Sequence, residues 1–429
     1  MKKLAAILVI GLVIRIISLT WIINTPQNGD LLRYADWGRI AFLKGFDQTY
    51  NKSAITFGGD ANNQPPGSLY AISTAYYGHL KTASVIQKIH TQSPEQTNVA
   101  NQQILYIFMR LPSLMAEILL TTIIFLFIKR QKGKYPSLAA SLLYLNPVLI
   151  YNSTFWGQMD SINNLFFIAA LMLLSSRKII NSTTFLFLSL MTKLSVLPLL
   201  PLYVVQFFKS KPRYKQMIIS IVISVGILFA LILPISKQPV IWFIQFIKLA
   251  SGGELQNITS EAYNLWYALF SFPFLTKIIP LESAQFLNIS LSTYGYLLYI
   301  IFAGPLLYMI FRSKKDTPEK TFLLFATLAL ISFLFLPKMH ERYLYPFFPL
   351  LAVSLGFSKR WLWYFVSISI VHFLNLFISW DPGYIKYIPY SLLENDWFKW
   401  GLAVGLVCVF FVFYKEVLSR EENNTHAQK

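Results

Sequence analysis

The chain has 429 residues, of which 55% are hydrophobic, 16% aromatic and only 13% charged, and its mean hydropathy is +0.51. Soluble domains carry roughly 25% charged residues, so a soluble globular protein, a disordered chain and a collagen-like repeat are excluded, and the single cysteine, Cys408, excludes a disulfide scaffold. The formal charge of +18, from 37 Lys and Arg against 19 Asp and Glu, points to nucleic acid in a soluble protein but to topology in a membrane protein, where basic residues collect in cytoplasmic loops.

Crossing the hydrocarbon core takes about 20 apolar residues. Apolar runs predict helices near 4–23, 104–128, 137–151, 161–175, 183–192, 194–208, 216–236, 288–311, 320–336, 346–358, 361–379 and 397–415. The fold class is therefore an all-α polytopic membrane protein of about twelve segments. The first run follows Lys2 and Lys3, has no small-residue cleavage site before its polar flank, and reads as a retained span. Basic clusters at Lys129–Lys134, Arg177-Lys178, Lys209–Lys215, Arg312–Lys315 and Lys359-Arg360 all follow apolar runs. Setting these inside, with both termini, gathers 21 of the 37 basic residues into short cytoplasmic pieces.

The stretch 183–208 lies between two basic clusters wanted on the same side. It predicts a hairpin of two half-length helices turning at Thr192-Lys193-Leu-Ser195, with Lys193 near the outer face; such broken helices are tolerated where they line a cavity. The outer side then carries a first loop over 24–103, a second over 237–287, and short ones near 152–160, 337–345 and 380–396. The tail over 417–429 is cytoplasmic in this arrangement. Long loops in compact proteins are usually functional, which places the chemistry on the extracytoplasmic side.

Four clusters carry candidate chemistry. In Asn28-Gly29-Asp30-Leu-Leu-Arg33-Tyr34-Ala-Asp36-Trp37, just after the first span, Asp30 is placed to act as a general base toward a hydroxyl. It is equally placed to cap a helix over 31–44, and Arg33, Tyr34 and Trp37 follow it on one helical face. Asp60-Ala-Asn62-Asn63-Gln64 abuts Pro65-Pro66-Gly67, which reads as a rigid loop or as the setting of a second catalytic or metal-binding carboxylate, Asp60; no cluster of metal ligands accompanies it. In Phe155-Trp156-Gly157-Gln158-Met-Asp160, Trp156 suits the membrane interface, and Asp160 is either a helix cap or a functional acid at membrane depth. Finally, Lys338-Met339-His340-Glu341-Arg342-Tyr343 sits between two apolar helices. Its Lys338, His340 and Arg342, joined by Lys193, suit a lipid phosphate; the plain alternative is a solvated turn. Arg110 and Glu117 share a face of the second span and Arg15 lies in the first, where each is expected to be paired structurally.

Taken together these residues resemble the GT-C superfamily of integral-membrane glycosyltransferases. They are most similar to a bacterial mannosyltransferase-like branch related to the second GPI mannosyltransferase, and also to the dolichyl-phosphate-glucose-dependent glucosyltransferases. The resemblance runs through Gly29-Asp30 with Trp37, Pro65-Pro66 with Tyr70, Arg110-Leu-Pro112 with Glu117, and Asn146-Pro147. It continues in Trp156-Gly157-Gln158-Met-Asp160, Ala262-Tyr263-Asn264-Leu-Trp266 and His340-Glu341-Arg342-Tyr343. It implies a seven-segment N-terminal module over 1–236, a variable C-terminal one over 237–416, and a first loop whose helices lie along the membrane over a cavity. It further implies an inverting transfer of a hexose, mannose or glucose, from a polyprenyl-phosphate donor to a glycan or lipid-linked acceptor. Asp30 matches the base, and His340 and Arg342 match the motif implicated in donor-phosphate recognition. Arg33, Trp37, Asp60, Gln64, Trp156, Gln158, Asp160, Tyr263, Asn264, Trp266, Glu341 and Tyr343 are expected around the substrate cavity. No metal or other cofactor, no nucleic acid and a monomeric state are expected. The lack of cysteine pairs and the awkward N-x-S/T sites at Asn152 and Asn181 favour a prokaryotic plasma membrane. Two other readings stand beside it. A lipid-linked glycan flippase or transporter would place ionisable residues at the midplane of broken helices, and a glycan polymerase or ligase would also use outer-side arginine.

Overall fold

The computed structural model describes residues 1–51, 61–89, 94–252, 256–273, 279–313, 316–380 and 390–426. Its helices are α1 (Lys2–Ile22), α2 (Gly29–Leu43), α3 (Pro66–Ile89), α4 (Pro94–Arg130), α5 (Pro136–Tyr144) and α6 (Pro147–Ile150). After a π-helical turn at Tyr151–Phe155 come α7 (Asp160–Ser175), α8 (Ile179–Thr192), α9 (Leu200–Lys209), α10 (Tyr214–Ile232), α11 (Pro239–Gly252) and α12 (Leu265–Phe270). The C-terminal part holds α13 (Leu291–Arg312), α14 (Pro318–Phe335), α15 (Phe347–Leu355), α16 (Leu362–Ser379), α17 (Tyr390–Leu393) and α18 (Asp396–His426). Four two-residue strands join loops: β1 (Thr259–Ser260) pairs in parallel with β4 (Met339–His340), and β2 (Gln285–Phe286) pairs antiparallel with β3 (Ile289–Ser290).

Among the described residues seven helices are long and apolar enough to cross a membrane: Lys2–Ile22, Thr97–Arg130, Tyr214–Ile232, Leu291–Arg312, Pro318–Phe335, Lys359–Ser379 and Asp396–Arg420. The other five predicted segments also fall on helix, but in shorter pieces: α5 with α6, α7, α8, α9 and α15. At 1.5 Å per residue none of these individual helices covers a hydrocarbon core of about 30 Å. The predicted hairpin over 183–208 is present. α8 ends at Thr192, Lys193 is extended, and a 3-10 stretch at Leu194–Leu199 leads into α9.

Burial separates a mast from its sleeve. From Thr321 to Phe335 every residue of α14 is buried, as is the whole of α15. By contrast α1, α10 and α13 bury about a fifth of their apolar windows or less, at 22%, 17% and 22%, and leave Val13, Ile17, Val222, Val225, Ile300 and Ile301 exposed. Apolar surface on that scale has no place in water and fits contact with lipid.

Charge sorts by end of the bundle. At one end Lys209 binds Asp316, Arg420 binds Glu319, Arg360 binds Glu416, and Lys359 lies over the ring of Tyr135. These are the basic clusters that the sequence placed together. The chain segments around Asp30, Gln158, Thr259 and Arg342 meet at the other end.

Of the three charges expected inside the first two spans, Arg15 and Glu117 pair with each other at 2.6 Å. Arg110 does not join them, although it shares a helix face with Glu117. Its guanidinium donates instead to the carbonyls of Thr154, Phe155 and Tyr106 and to Gln27 Oε1, at 2.7–3.0 Å. An arginine surrounded by acceptors has no need of a carboxylate to be satisfied, and here it pins the π-helical turn against α4.

Candidate active site

The first side chain is placed by a helix start. Asn28 is the N-cap of α2: its side-chain oxygen accepts from the backbone N–H of Asp30 at 2.8 Å. The capping role open to Asp30 is thus filled two residues earlier, as suits asparagine. Asp30 is left in the first turn with its carboxylate free for other partners, at the favourable end of the helix dipole.

The second side chain arrives from the π-helical turn. Gly157, at φ +80°, takes a left-handed conformation, and a Cβ there would lie 2.5 Å from Leu31; glycine meets both demands. The reversal delivers Gln158, fully buried, with its backbone N–H on Asn152 O at 2.9 Å and its carbonyl accepting from Ser113 Oγ at 2.6 Å. Its side chain donates from Nε2 to Asp30 Oδ2 at 2.5 Å and accepts at Oε1 from Tyr34 Oη at 3.0 Å.

The third comes from the 3-10 turn at Glu341–Leu344. Arg342 Nη1 reaches Asp30 Oδ2 at 3.1 Å and Glu341 Oε1 at 3.3 Å. Its guanidinium carbon sits 5.9 Å from the ring centre of Trp156, and its buried Nε has no hydrogen-bond acceptor among the described residues. His340 Nδ1 lies 3.5 Å from Glu341 Oε2, and its ring meets Tyr343 edge-on at 5.3 Å.

Asp160, second of the expected caps, caps nothing. Met159 holds that position, and Asp160 Oδ1 takes Lys193 Nζ at 2.5 Å while Asn152 Nδ2 lies 3.3 Å from Oδ2. The break between α8 and α9 therefore serves to insert an ammonium beside a buried acid, which satisfies both. Lys193 also lines a narrow cleft with Tyr34, Gln64, Ser68, Met159 and Thr192. Gly67, next to Ser68 in the chain, packs against the end of α8, where a Cβ would lie 2.6 Å from the carbonyl oxygen of Met191.

Electrostatics follow from this packing. Burial raises the Asp30 carboxyl, but the Arg342 guanidinium, the Gln158 amide and Arg33 outweigh it and hold the group below the ordinary range. Glu341 is likewise depressed, its burial outweighed by His340 and Arg342. Burial works against the charge of Arg342, yet Asp30 and Glu341 hold it more firmly protonated than a free arginine. Burial and the neighbouring Asp30 push the Tyr34 phenol up, so it stays a donor.

The other expected site residues are more dispersed. Arg33 Nη1 stands 3.4 Å from Asp30 Oδ1, and Trp37 is buried against Tyr34 at 5.6 Å. Lys338 pairs with Glu282 at 2.8 Å, within the loop sewn by β1 and β4. Asn264 caps α12 and donates to Phe333 O, Trp266 Nε1 donates to Phe335 O, and the Tyr263 backbone N–H is held by Asn375. These three lash the second large loop to the ends of α14 and α16. Asp60 lies outside the described residues. Among the described residues no group of three His, Cys, Asp or Glu side chains is placed to hold a metal ion. Tyr34, Ser113 and Asn152 were not among the expected cavity residues. Tyr34 had a signal, its position one helical turn from Asp30; Ser113 and Asn152 had none.

In sequence the chain matches no protein-family model and no curated protein. In structure it is similar to ArnT from Cupriavidus metallidurans, solved with undecaprenyl phosphate bound, with 14% identity, a TM-score of 0.48, and coverage of 97% of this chain and 77% of that one.

Proposed function

We propose that the protein is a membrane glycosyltransferase that moves a hexose, mannose or glucose, from a polyprenyl-phosphate donor to a glycan or lipid-linked acceptor on the extracytoplasmic face. The observation that carries this reading is the Asp30 carboxylate, held ionised and 3.1 Å from Arg342 at the end of the bundle remote from the basic clusters. In a chain only 13% charged, a base and a cation suited to phosphate occupy one spot.

In the proposed step Asp30 accepts the proton of an acceptor hydroxyl. The hydroxyl oxygen bonds to the anomeric carbon as the carbon–oxygen bond to phosphate breaks, and the electron pair leaves on the phosphate with inversion. A phosphate leaves readily as an anion, so a cationic grip suffices where a strong general acid is otherwise needed. Arg342 is suited to that grip because its orphaned Nε–H supplies a donor for a phosphate oxygen; His340 and Lys193 assist, and Lys338 joins by leaving Glu282. The transfer needs no metal in this scheme.

The test is a panel of polyprenyl-phosphate sugars offered to purified protein, alongside Asp30→Asn. Transfer of one hexose by the wild type and none by the variant supports the reading. Turnover by Asp30→Asn at the wild-type rate removes the base.

A further inference from the structure

Asp30 has two oxygens, and the protein treats them differently. Oδ2 takes the amide of Gln158 at 2.5 Å and the guanidinium of Arg342 at 3.1 Å. Oδ1 has, among the described residues, the contact to Arg33 at 3.4 Å, beyond the 2.7–3.2 Å of a good N–H···O bond. We infer that Gln158, locked by Tyr34, is the positioning residue of this site, holding Oδ2 so that Oδ1 is the oxygen that takes the acceptor's proton. This rests on the base role proposed for Asp30.

The lock has four bonds. The backbone N–H and carbonyl of Gln158 are tied to Asn152 and Ser113, so the residue cannot slide. Within its buried site a half-turn about the terminal bond of the side chain would exchange Nε2 and Oε1. The two partners together set the orientation, because the Asp30 carboxylate can only accept and so takes Nε2. A phenol kept protonated by burial has one hydrogen to give and gives it to Oε1, which leaves Nε2 facing Asp30. The opposite orientation would set an amide oxygen against a carboxylate. Ser113 is in turn placed by α4 and accepts from Ser161 Oγ at 3.0 Å through its carbonyl. The chain Tyr34–Gln158–Asp30 is therefore anchored in α2, α4 and α7, and not in a loose loop.

Gln158 thus differs in kind from Arg342, which touches the same oxygen. Arg342 is exchangeable, since a phosphate competes for it. Gln158 is neutral, fully buried and saturated, so it stays with Oδ2 whether or not the donor is bound. A carboxylate anchored through one oxygen presents the lone pairs of the other in a fixed direction, as proton transfer requires.

The experiment uses the full chain in lipid nanodiscs with Gln158→Leu, Gln158→Glu, Tyr34→Phe and Asp30→Asn. The first readout is the pH dependence of carbodiimide modification at Asp30, mapped by mass spectrometry; it needs no substrate. The expected result is a modification midpoint moved to higher pH in Gln158→Leu and Tyr34→Phe, and furthest, by about one pH unit or more, in Gln158→Glu, where a second carboxylate faces the first. The second readout is turnover: kcat falls about 100-fold in Gln158→Leu, as for a misplaced catalytic group, with the donor KM within about threefold of wild type. A structural role alone lowers thermal stability without moving the midpoint, and that result overturns the inference. If Asp30→Asn is inactive while Gln158→Leu keeps the wild-type kcat and midpoint, the positioning role fails and the base role stands. If Asp30→Asn turns over normally, the base role fails, and with it the assignment of Oδ1 as proton acceptor.

Discussion

Arg15 of α1 and Glu117 of α4 meet through a 2.6 Å contact, with neither side chain exposed. The guanidinium is also tied to the carbonyls of Gly11 and Tyr144 and lies over the Tyr144 ring. On its far side Glu117 lies 3.4 Å from the hydroxyl of Tyr345, three residues beyond Arg342. The pair therefore joins the first span to the segment that supplies the site's guanidinium.

Breaking such a pair from one side strands a charge. Glu117→Ala should cost about 3–5 kcal/mol, whereas Arg15→Leu with Glu117→Leu should cost much less, because no unpaired ion remains. Thermal melting of the purified variants in detergent measures both. A double variant less stable than the single one would show that the charges contribute more than mutual neutralisation.

The acid limb of activity reports on Asp30. The carboxylate is the active form, so activity is complete above its pKa and falls as pH drops through it. With the group held below the ordinary aspartate value of 3.8, the wild type should keep that limb under about pH 4. Arg342→Gln removes the leading stabilising charge, so the limb should move to higher pH and the donor KM should rise. A pH profile of kcat and of kcat/KM separates the two effects.

Lys193 and Asp160 offer a cleaner dissection. Lys193→Met leaves a buried carboxylate without its cation and should destabilise the fold, while Lys193→Met combined with Asp160→Leu should recover most of that loss. If Lys193 also meets donor phosphate, the recovered double variant keeps its melting temperature but shows a raised donor KM. An unchanged KM confines the lysine to Asp160.

Sidedness is tested at Asn63, which is exposed, whereas the neighbouring Asn62 is buried. In a Cys408→Ser background, Asn63→Cys should react with a membrane-impermeant maleimide added from outside intact cells. Reaction only after permeabilisation would invert the orientation.

The helices were legible because each apolar run had to become one: an unpaired backbone is not tolerated in hydrocarbon. Their lengths were less so, since α15 is wholly buried and α7 mostly buried by neighbours, and neither has to span on its own. Asp30 and Arg342 were conspicuous because so few charges compete with them. What no local pattern betrayed is partnership at a distance. The spacing of Arg110 and Glu117 suggests a pair, but the carbonyls of a π-helical turn satisfy the arginine first. No local pattern shows that Lys338 pairs with Glu282, and a two-residue parallel pairing such as β1 with β4 leaves no periodicity to detect. The cap assignments turned on one position: asparagine at 28 takes the role and frees the aspartate at 30.

The contact between Asp30 and Arg342 closes a separation of 312 residues. Ribosomes add about 5–20 residues each second, so Asp30 emerges roughly 15–60 s before the arginine that balances it has been made. Throughout that interval a growing chain holds the acid without Arg342, the largest of the charges that stabilise it. The site is thus a late product of biogenesis, assembled when the last spans close on the first, and a chain cut short anywhere before Arg342 lacks it altogether.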